Sequence, residues 1–197
     1  VRYRTDPPQP LGVCLRNLTG NQNELVAHLK AHSLATDGPY KLSSGIESDW
    51  YLDGRQTTYD GLGANIVGRC VLEVMEPSAD AIGGMTMGAD PIAVATAILA
   101  PRPLRAFSVR KEIKAHGAGG RLVGPIRAGD RAVVVEDTVT TGGSMGKAIE
   151  ALREAGVEVL QAIVLVDRSG GAAATRLAAL GVSLVSLLEP RDLGVGA

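Results

Sequence analysis

With 197 residues, of which 45% are hydrophobic and 21% charged, the chain has the composition of one sizeable folded domain rather than a disordered one. A formal net charge of −1 excludes a global electrostatic pull toward nucleic acid or a membrane surface. Aromatic residues make up only 3%, so the core must be built from Ala, Val, Leu and Ile, and 25 Gly with 10 Pro predict many tight turns.

Residues 1–197 read as a single domain, opening on an irregular, Pro-containing segment over 1–20. Its start, VRYRTDPPQP, has no apolar run and is not expected to be a signal peptide. A helix is predicted over Asn21–Ser33, with Leu25, Val26 and Leu29 at helical spacing and Asn21 or Asn23 as its cap. Paired short strands are predicted over Tyr40–Gln56, around a turn at Ser44–Gly45. Leu62–Met75 is predicted helical, with Ile66, Val67, Cys70, Val71 and Val74 on one face. A short strand, Asp80–Gly83, ends in glycines, and the helix Pro91–Leu99 follows. Its apolar run IAVATAILA is far short of the roughly 20 residues a membrane span needs. Leu104–Val109 is predicted as strand, and residues 110–128 show no clean period. Then come strand Arg131–Val135, helix Gly143–Ala155, strand Val157–Val166, helix Ala172–Leu180 and strand Val182–Leu187. Strands alternate with helices, and runs such as AVVV and AIVLV suit strands covered on both faces. The expected fold is α/β, with a mostly parallel central sheet flanked by helices.

The stretch VVVEDTVTTGGS, residues 133–144, carries the chemistry. In an open parallel sheet, ligands bind beyond the carboxyl ends of the strands, where Glu136 and Asp137 are expected. Gly142 and Gly143 permit turns that bring backbone N–H groups onto an anion. Thr138, Thr140, Thr141 and Ser144 add hydroxyl donors. The loop suits a phosphate, and the acids suit vicinal hydroxyls or Mg²⁺. A ligand with a phosphate at one end and a diol nearby is a ribose 5-phosphate. A phosphate-binding P-loop is excluded: its first Gly would fall at Thr141, and Ala148 stands where Ser or Thr is required. No dinucleotide fingerprint is present either, because the acids precede the glycines.

A second feature is the basic stretch RKEIKAHGAGG, residues 110–120. Over 102–127 there are seven Arg or Lys against one acid, Glu112. Taken alone it reads as a solvated loop. Beside a phosphate site, Arg110, Lys111, Lys114 and His116 suit a leaving pyrophosphate, whose charge is best met by cations that close over it. Cys14 and Cys70 form no CxxC pair, which suits a reducing cytoplasm and argues against structural zinc.

VVVEDTVTTGGS resembles the phosphoribosyl-pyrophosphate motif of the type I phosphoribosyltransferases. RKEIKAHGAGGRLVG resembles the mobile catalytic loop of the orotate phosphoribosyltransferases within that family. LSSGIESDWYLDGR (42–55) is similar to the family's segment near the orotate ring and hood, and GGMTMGADPIA (83–93) to its pyrophosphate-side loop. VLVDRSGG (164–171) places Arg168 like the family's orotate-contacting arginine. Some members carry Lys where Gly88 and Ser43 fall here. The resemblance spans roughly residues 40–190, and implies transfer of phosphoribose from phosphoribosyl pyrophosphate to orotate in pyrimidine synthesis. Glu136 and Asp137 would hold the ribose hydroxyls, and Thr138, Val139, Thr140, Thr141, Gly142, Gly143 and Ser144 the 5-phosphate. Lys111, Lys114 and His116 would stabilise pyrophosphate, with Lys114 or His116 supplying a proton. Arg110 would bind phosphate, and Arg168 with the backbone near Thr140 would orient orotate. The implied cofactor is Mg²⁺, carried mainly by the substrate rather than by a set of protein ligands. The implied assembly is a homodimer with the loop donated in trans, and neither a nucleic-acid nor a membrane partner is expected.

Overall fold

The apolar runs at 132–135 and 157–166 determine the middle of the molecule. The computed structural model describes residues 18–41, 47–114 and 120–196. Among these lies a six-stranded sheet built from β5 (Ala81–Met85), β6 (Arg105–Lys114), β7 (Gly120–Val123), β8 (Arg131–Val139), β9 (Glu158–Asp167) and β10 (Ser183–Leu188). Its order is β10-β9-β8-β5-β6-β7, and only the β6–β7 pair is antiparallel.

Strand pleat sorts the core into two layers, because successive side chains point to opposite faces. Val133, Val135, Ile163 and Leu165 pack with α1 (Gly20–His32), α3 (Gly61–Val74) and α4 (Ala89–Leu99). The interleaved Ala132, Val134, Ala162 and Val164 pack with α5 (Gly143–Glu154) and α6 (Ala172–Ala179). A strand buried on both faces has no polar side to display, hence the unbroken AVVV.

A small antiparallel hood lies beside the sheet. It contains β1 (Leu34–Ala35) paired with β4 (Tyr51–Leu52), and β2 (Tyr40–Lys41) paired with β3 (Glu47–Ser48). The predicted hairpin has its arms in β2 and β3, and its turn at Ser44–Gly45 lies outside the described residues. Past β4 the expected strand gives way to a short helix, α2 (Arg55–Thr58). There Asp53 accepts a bond from Arg55 N–H at 3.2 Å and starts the turn.

Three more expectations are corrected. The cap of α1 is Thr19, not Asn21 or Asn23. Thr19 and Gln22 form a reciprocal capping box, which requires a hydroxyl three residues before an amide or acid. Strand β5 continues through its glycines to Met85. Residues 110–114 and 120–123 form an antiparallel arm continuing β6 into β7, with Val109 opposite Leu122 and Lys114 opposite Gly120. Lys111 and Glu112 are exposed there, and strand pairing together with the bond from Arg121 Nε to the Arg110 carbonyl at 3.3 Å orders the arm, so no hydrophobic period marks it. The irregular segment expected over 1–20 lies outside the described residues up to residue 17. Among the described residues, no helix is long and apolar enough to cross a membrane.

The glycines of β5 are required by its neighbours. A Cβ on Gly84 would stand 2.2 Å from the Val135 carbonyl oxygen and 2.9 Å from Ala89 Cβ. Gly84→Ala is therefore expected to lower unfolding free energy by about 1–3 kcal/mol, the usual cost of overpacking. A urea midpoint equal to that of the parent would refute this close approach.

Candidate functional site

The chain leaves β5 toward β6 on one side and later returns through β8 to β9 and β10 on the other. The order therefore reverses between β5 and β8, and a crevice opens there beyond the carboxyl ends of the strands. A cleft of about 550 Å³ occupies this place. Four parts of the chain wall it: Tyr51 to Arg55 of the hood, Met85 to Gly88 after β5, Lys111 of the arm, and Glu136 to Thr138 with Ser144.

Strand β8 runs to Val139, so both acids lie on the strand itself rather than after its end. Glu136 is only 8% exposed, and burial pushes its carboxyl up to about 8. The neighbouring charge of Asp137 adds to the rise, and Lys111 opposes it. Burial raises Asp137 as well, against the pull of the Thr138 N–H, which donates to its Oδ1 at 2.8 Å. Two carboxylates side by side, partly stripped of water, form a site that lacks positive charge.

Backbone presses close to them. A Cβ on Gly88 would stand 2.4 Å from Glu136 Oε1 and 2.8 Å from Asp137 Oδ1. A Cβ on Gly54 would stand 3.1 Å from Asp137 Cβ. The two acids are thus boxed between main chain of the hood and main chain of the β5–α4 loop.

Behind the acids the chain turns at Gly142, whose φ of 72° suits glycine, and enters α5. Gly142 has no side chain to cap α5, Gly143 N–H donates to Thr141 Oγ1 at 3.4 Å, and the helix start carries the positive end of the dipole. Thr140, Thr141 and Ser144 are exposed around this turn. Val139 differs: its side chain is buried and its carbonyl accepts from Arg168 N–H at 2.8 Å, so it supports the loop from within.

That bond also fixes Arg168 at the end of β9. Its guanidinium lies 3.9 Å from the centroid of Trp50, a side chain 8% exposed at the base of the hood. The stacking holds the fork beside the cleft without using its in-plane donors.

The structure thus gathers Glu136, Asp137, Thr138, Ser144 and Lys111 around one cavity, with Arg168 next to it. Arg110 is half-buried and does not line the cleft of its own chain. The Lys114 side chain and His116 lie outside the described residues. Reading by residue chemistry did not single out Tyr51, Asp53, Arg55 or Thr86 in the wall, nor Trp50 as the partner of Arg168. A lone tryptophan beside DGR in a chain poor in aromatics was the available signal. Asp53 holds Arg55 through Nε at 2.7 Å and Nη2 at 3.2 Å.

A family model described as the phosphoribosyl transferase domain matches residues 68–183. An orotate phosphoribosyltransferase of Streptomyces avermitilis is 47% identical over 162 residues, covering 80% of this chain and 89% of that protein. A Mycobacterium tuberculosis H37Rv orotate phosphoribosyltransferase in complex with inorganic phosphate aligns with TM-score 0.80 and 35% identity, covering 90% of this chain and 100% of the other. An orotate phosphoribosyltransferase of the same organism in complex with 5-phospho-alpha-D-ribosyl 1-diphosphate gives TM-score 0.77 and 34% identity, covering 89% and 99%.

The raised Glu136 pKa has a definite sign in stability. The folded chain holds this proton up to about pH 8, whereas an unfolded glutamate releases it near its ordinary value of about 4.5. Its contribution is therefore complete below pH ~4.5 and is lost as pH rises through about 8. Glu136→Gln should match the parent near pH 4.5 and exceed it by roughly 2–4 kcal/mol above pH 8 without ligand. Denaturant midpoints taken across this range test it, and parallel profiles for the two proteins would refute it.

Proposed function

We propose a division of labour among these residues, because the chain belongs to the phosphoribosyltransferase family and, within it, to the orotate phosphoribosyltransferases. The reaction transfers the 5-phosphoribosyl group of phosphoribosyl pyrophosphate to a ring nitrogen of orotate, giving orotidine 5′-monophosphate and pyrophosphate. It belongs to pyrimidine synthesis. The observation that carries the division is the buried pair Glu136–Asp137 lying directly before an uncapped helix start at one switch point.

Glu136 and Asp137 hydrogen-bond the ribose 2- and 3-hydroxyls, and the charge of Asp137, joined by that of Glu136 once a substrate-borne cation draws off its proton, favours the positive character that the ring gains as the C1–O bond breaks. Residues 138–144 cradle the 5-phosphate through N–H groups and hydroxyls. Lys111 faces the leaving pyrophosphate in the cleft of its own chain. Arg110, Lys114 and His116 complete that contact from the partner's arm in a homodimer, and Lys114 or His116 supplies a proton to the departing group. Arg168, stacked on Trp50, pairs its fork with the carboxylate of orotate, and the backbone at Thr140 meets the ring. Closure in line is the main demand of such a transfer, since no covalent nucleophile is needed.

The donor set fits a hard cation carried by the substrate. Two carboxylates short of positive charge adjoin the ribose position, and a divalent ion bound to substrate oxygens relieves them. The expected ion is Mg²⁺, which would come in on the substrate beside Glu136 and Asp137 and would neutralise pyrophosphate charge.

Loss of orotate absorbance on mixing protein, Mg²⁺, phosphoribosyl pyrophosphate and orotate tests the reaction. Turnover with uracil or a purine in place of orotate, and none with orotate, would sink it. Arg168→Gln should raise KM for orotate about 10–100-fold, the range of a lost charged hydrogen-bond pair, and change KM for the donor far less. An equal effect on both substrates would remove Arg168 from the acceptor site.

A mixed dimer tests the arm. Lys114→Ala and Asp137→Ala chains should each be inactive alone. After subunit exchange they should recover activity toward one quarter of the parent value, since one site in a heterodimer keeps both residues and random pairing makes half the dimers mixed. No recovery despite proven exchange would place Lys114 in the site of its own chain.

A further inference from the structure

Helix α6 comes close to the phosphate turn. A Cβ on Gly142 would stand 3.2 Å from Ala173 Cα and 3.4 Å from Arg176 Cδ. One residue on, a Cβ on Gly143 would stand 3.8 Å from Arg176 Nη1 and 3.5 Å from Thr141 Oγ1. The stem of Arg176 therefore lies along Gly142, and its guanidinium arrives over the first residue of α5. Thr141 occupies the other flank of the same residue. The cap residue of α5, Gly142, has no side chain, and the one side-chain acceptor in its first turn among the described residues is Thr141 Oγ1, 3.4 Å from the Gly143 nitrogen.

Arg176 is otherwise uncommitted. Among the described residues it has no ion pair and no hydrogen bond, unlike Arg105, Arg131 and Arg153 on nearby elements. Helix α6, AAATRLAA, contains no acid. A long side chain that only covered apolar surface would leave its head in water, away from a helix start. Here the head is brought to the positive end of a helix, where another cation is unfavourable unless an anion sits between them. An arginine fork matches a phosphate dianion in shape and charge.

We propose that Arg176 is a further binding residue for the 5-phosphate of the phosphoribosyl donor, reaching from α6 across Gly142 and Gly143 to close the exposed flank of the cradle. The assignment rests on residues 138–144 holding that phosphate. It makes α6 part of the site, although the helix touches neither the ribose acids nor the wall of the cleft. It also gives the glycine at 142 a role beyond its backbone angle, since a Cβ there would press on Ala173 Cα at 3.2 Å and touch the arginine stem at 3.4 Å.

Ribose 5-phosphate, which carries the phosphate and diol without the pyrophosphate, is the probe. Arg176→Gln should weaken its binding about 3–10-fold in calorimetry, the scale of one partly solvated arginine–phosphate contact, and raise KM for the donor in proportion. KM for orotate should move less than twofold. The loss should shrink in 0.5 M salt, because an exposed charge pair is screened. Arg176→Lys should fall between parent and glutamine variant. Unaltered ribose 5-phosphate affinity in Arg176→Gln, with the parent binding the probe and turning over orotate, would overturn the assignment alone. Equal losses for orotate and ribose 5-phosphate with a lowered melting midpoint would also overturn it, as loss of packing. A parent that binds no ribose 5-phosphate would overturn it together with the phosphate reading beneath it.

Discussion

Two carboxylates confined without a matching cation are the constraint on which the rest of the structure depends. Glu136 and Asp137 are enclosed by main chain at Gly54 and Gly88, and the cations that share their cleft, Lys111 and Arg55, offset their burial only in part. Such a pair costs stability in the empty protein and gives that stability back to whatever supplies hydrogen-bond donors and positive charge. The rise in the Glu136 pKa is the electrostatic signature of that unmet demand.

The sheet makes the arrangement possible. A parallel strand buried on both faces ends abruptly where its covering helices end, so its last residues look into the crevice rather than into a core. The same β8 therefore contributes Ala132–Val135 to two hydrophobic layers and, within one more residue, an ionisable pair to the cavity. Gly83 and Gly84 allow β5 to pass close beside it. A Cβ on Gly83 would meet the Phe107 carbonyl oxygen at 2.1 Å, so the small residues that make β5 look weak as a strand are those that fit it between its neighbours.

The residues that were legible in advance are those whose chemistry is local. VVVEDTVTTGGS announces its acids, hydroxyls and glycines in one stretch, and the two-sided strands follow from AVVV and AIVLV. The strand segments 110–114 and 120–123 were not legible because their order comes from pairing with each other, with charged side chains on view. The capping role of Thr19 was hidden by two better-placed asparagines. Arg168 was legible as a cation, but its stacking on Trp50 joins residues 118 positions apart, and no local pattern encodes that. Arg176 was invisible for the same reason: it sits on an ordinary-looking helix and matters only because Gly142 lets that helix come close.

The β5–α4 loop shows how one position redistributes charge within such a site. In this chain a Cβ at 88 would collide with Glu136 Oε1 at 2.4 Å, so a side chain could enter only if the acids moved. The loop therefore offers its backbone to the cleft, and Thr86, whose hydroxyl donates to Asp90 Oδ2 at 2.6 Å, is left as an acceptor. Neither group brings positive charge. A site built this way carries its acids on β8 and its cations, Lys111 and Arg55, on the arm and beside the hood, so the β5–α4 loop shapes the cleft without adding charge to it.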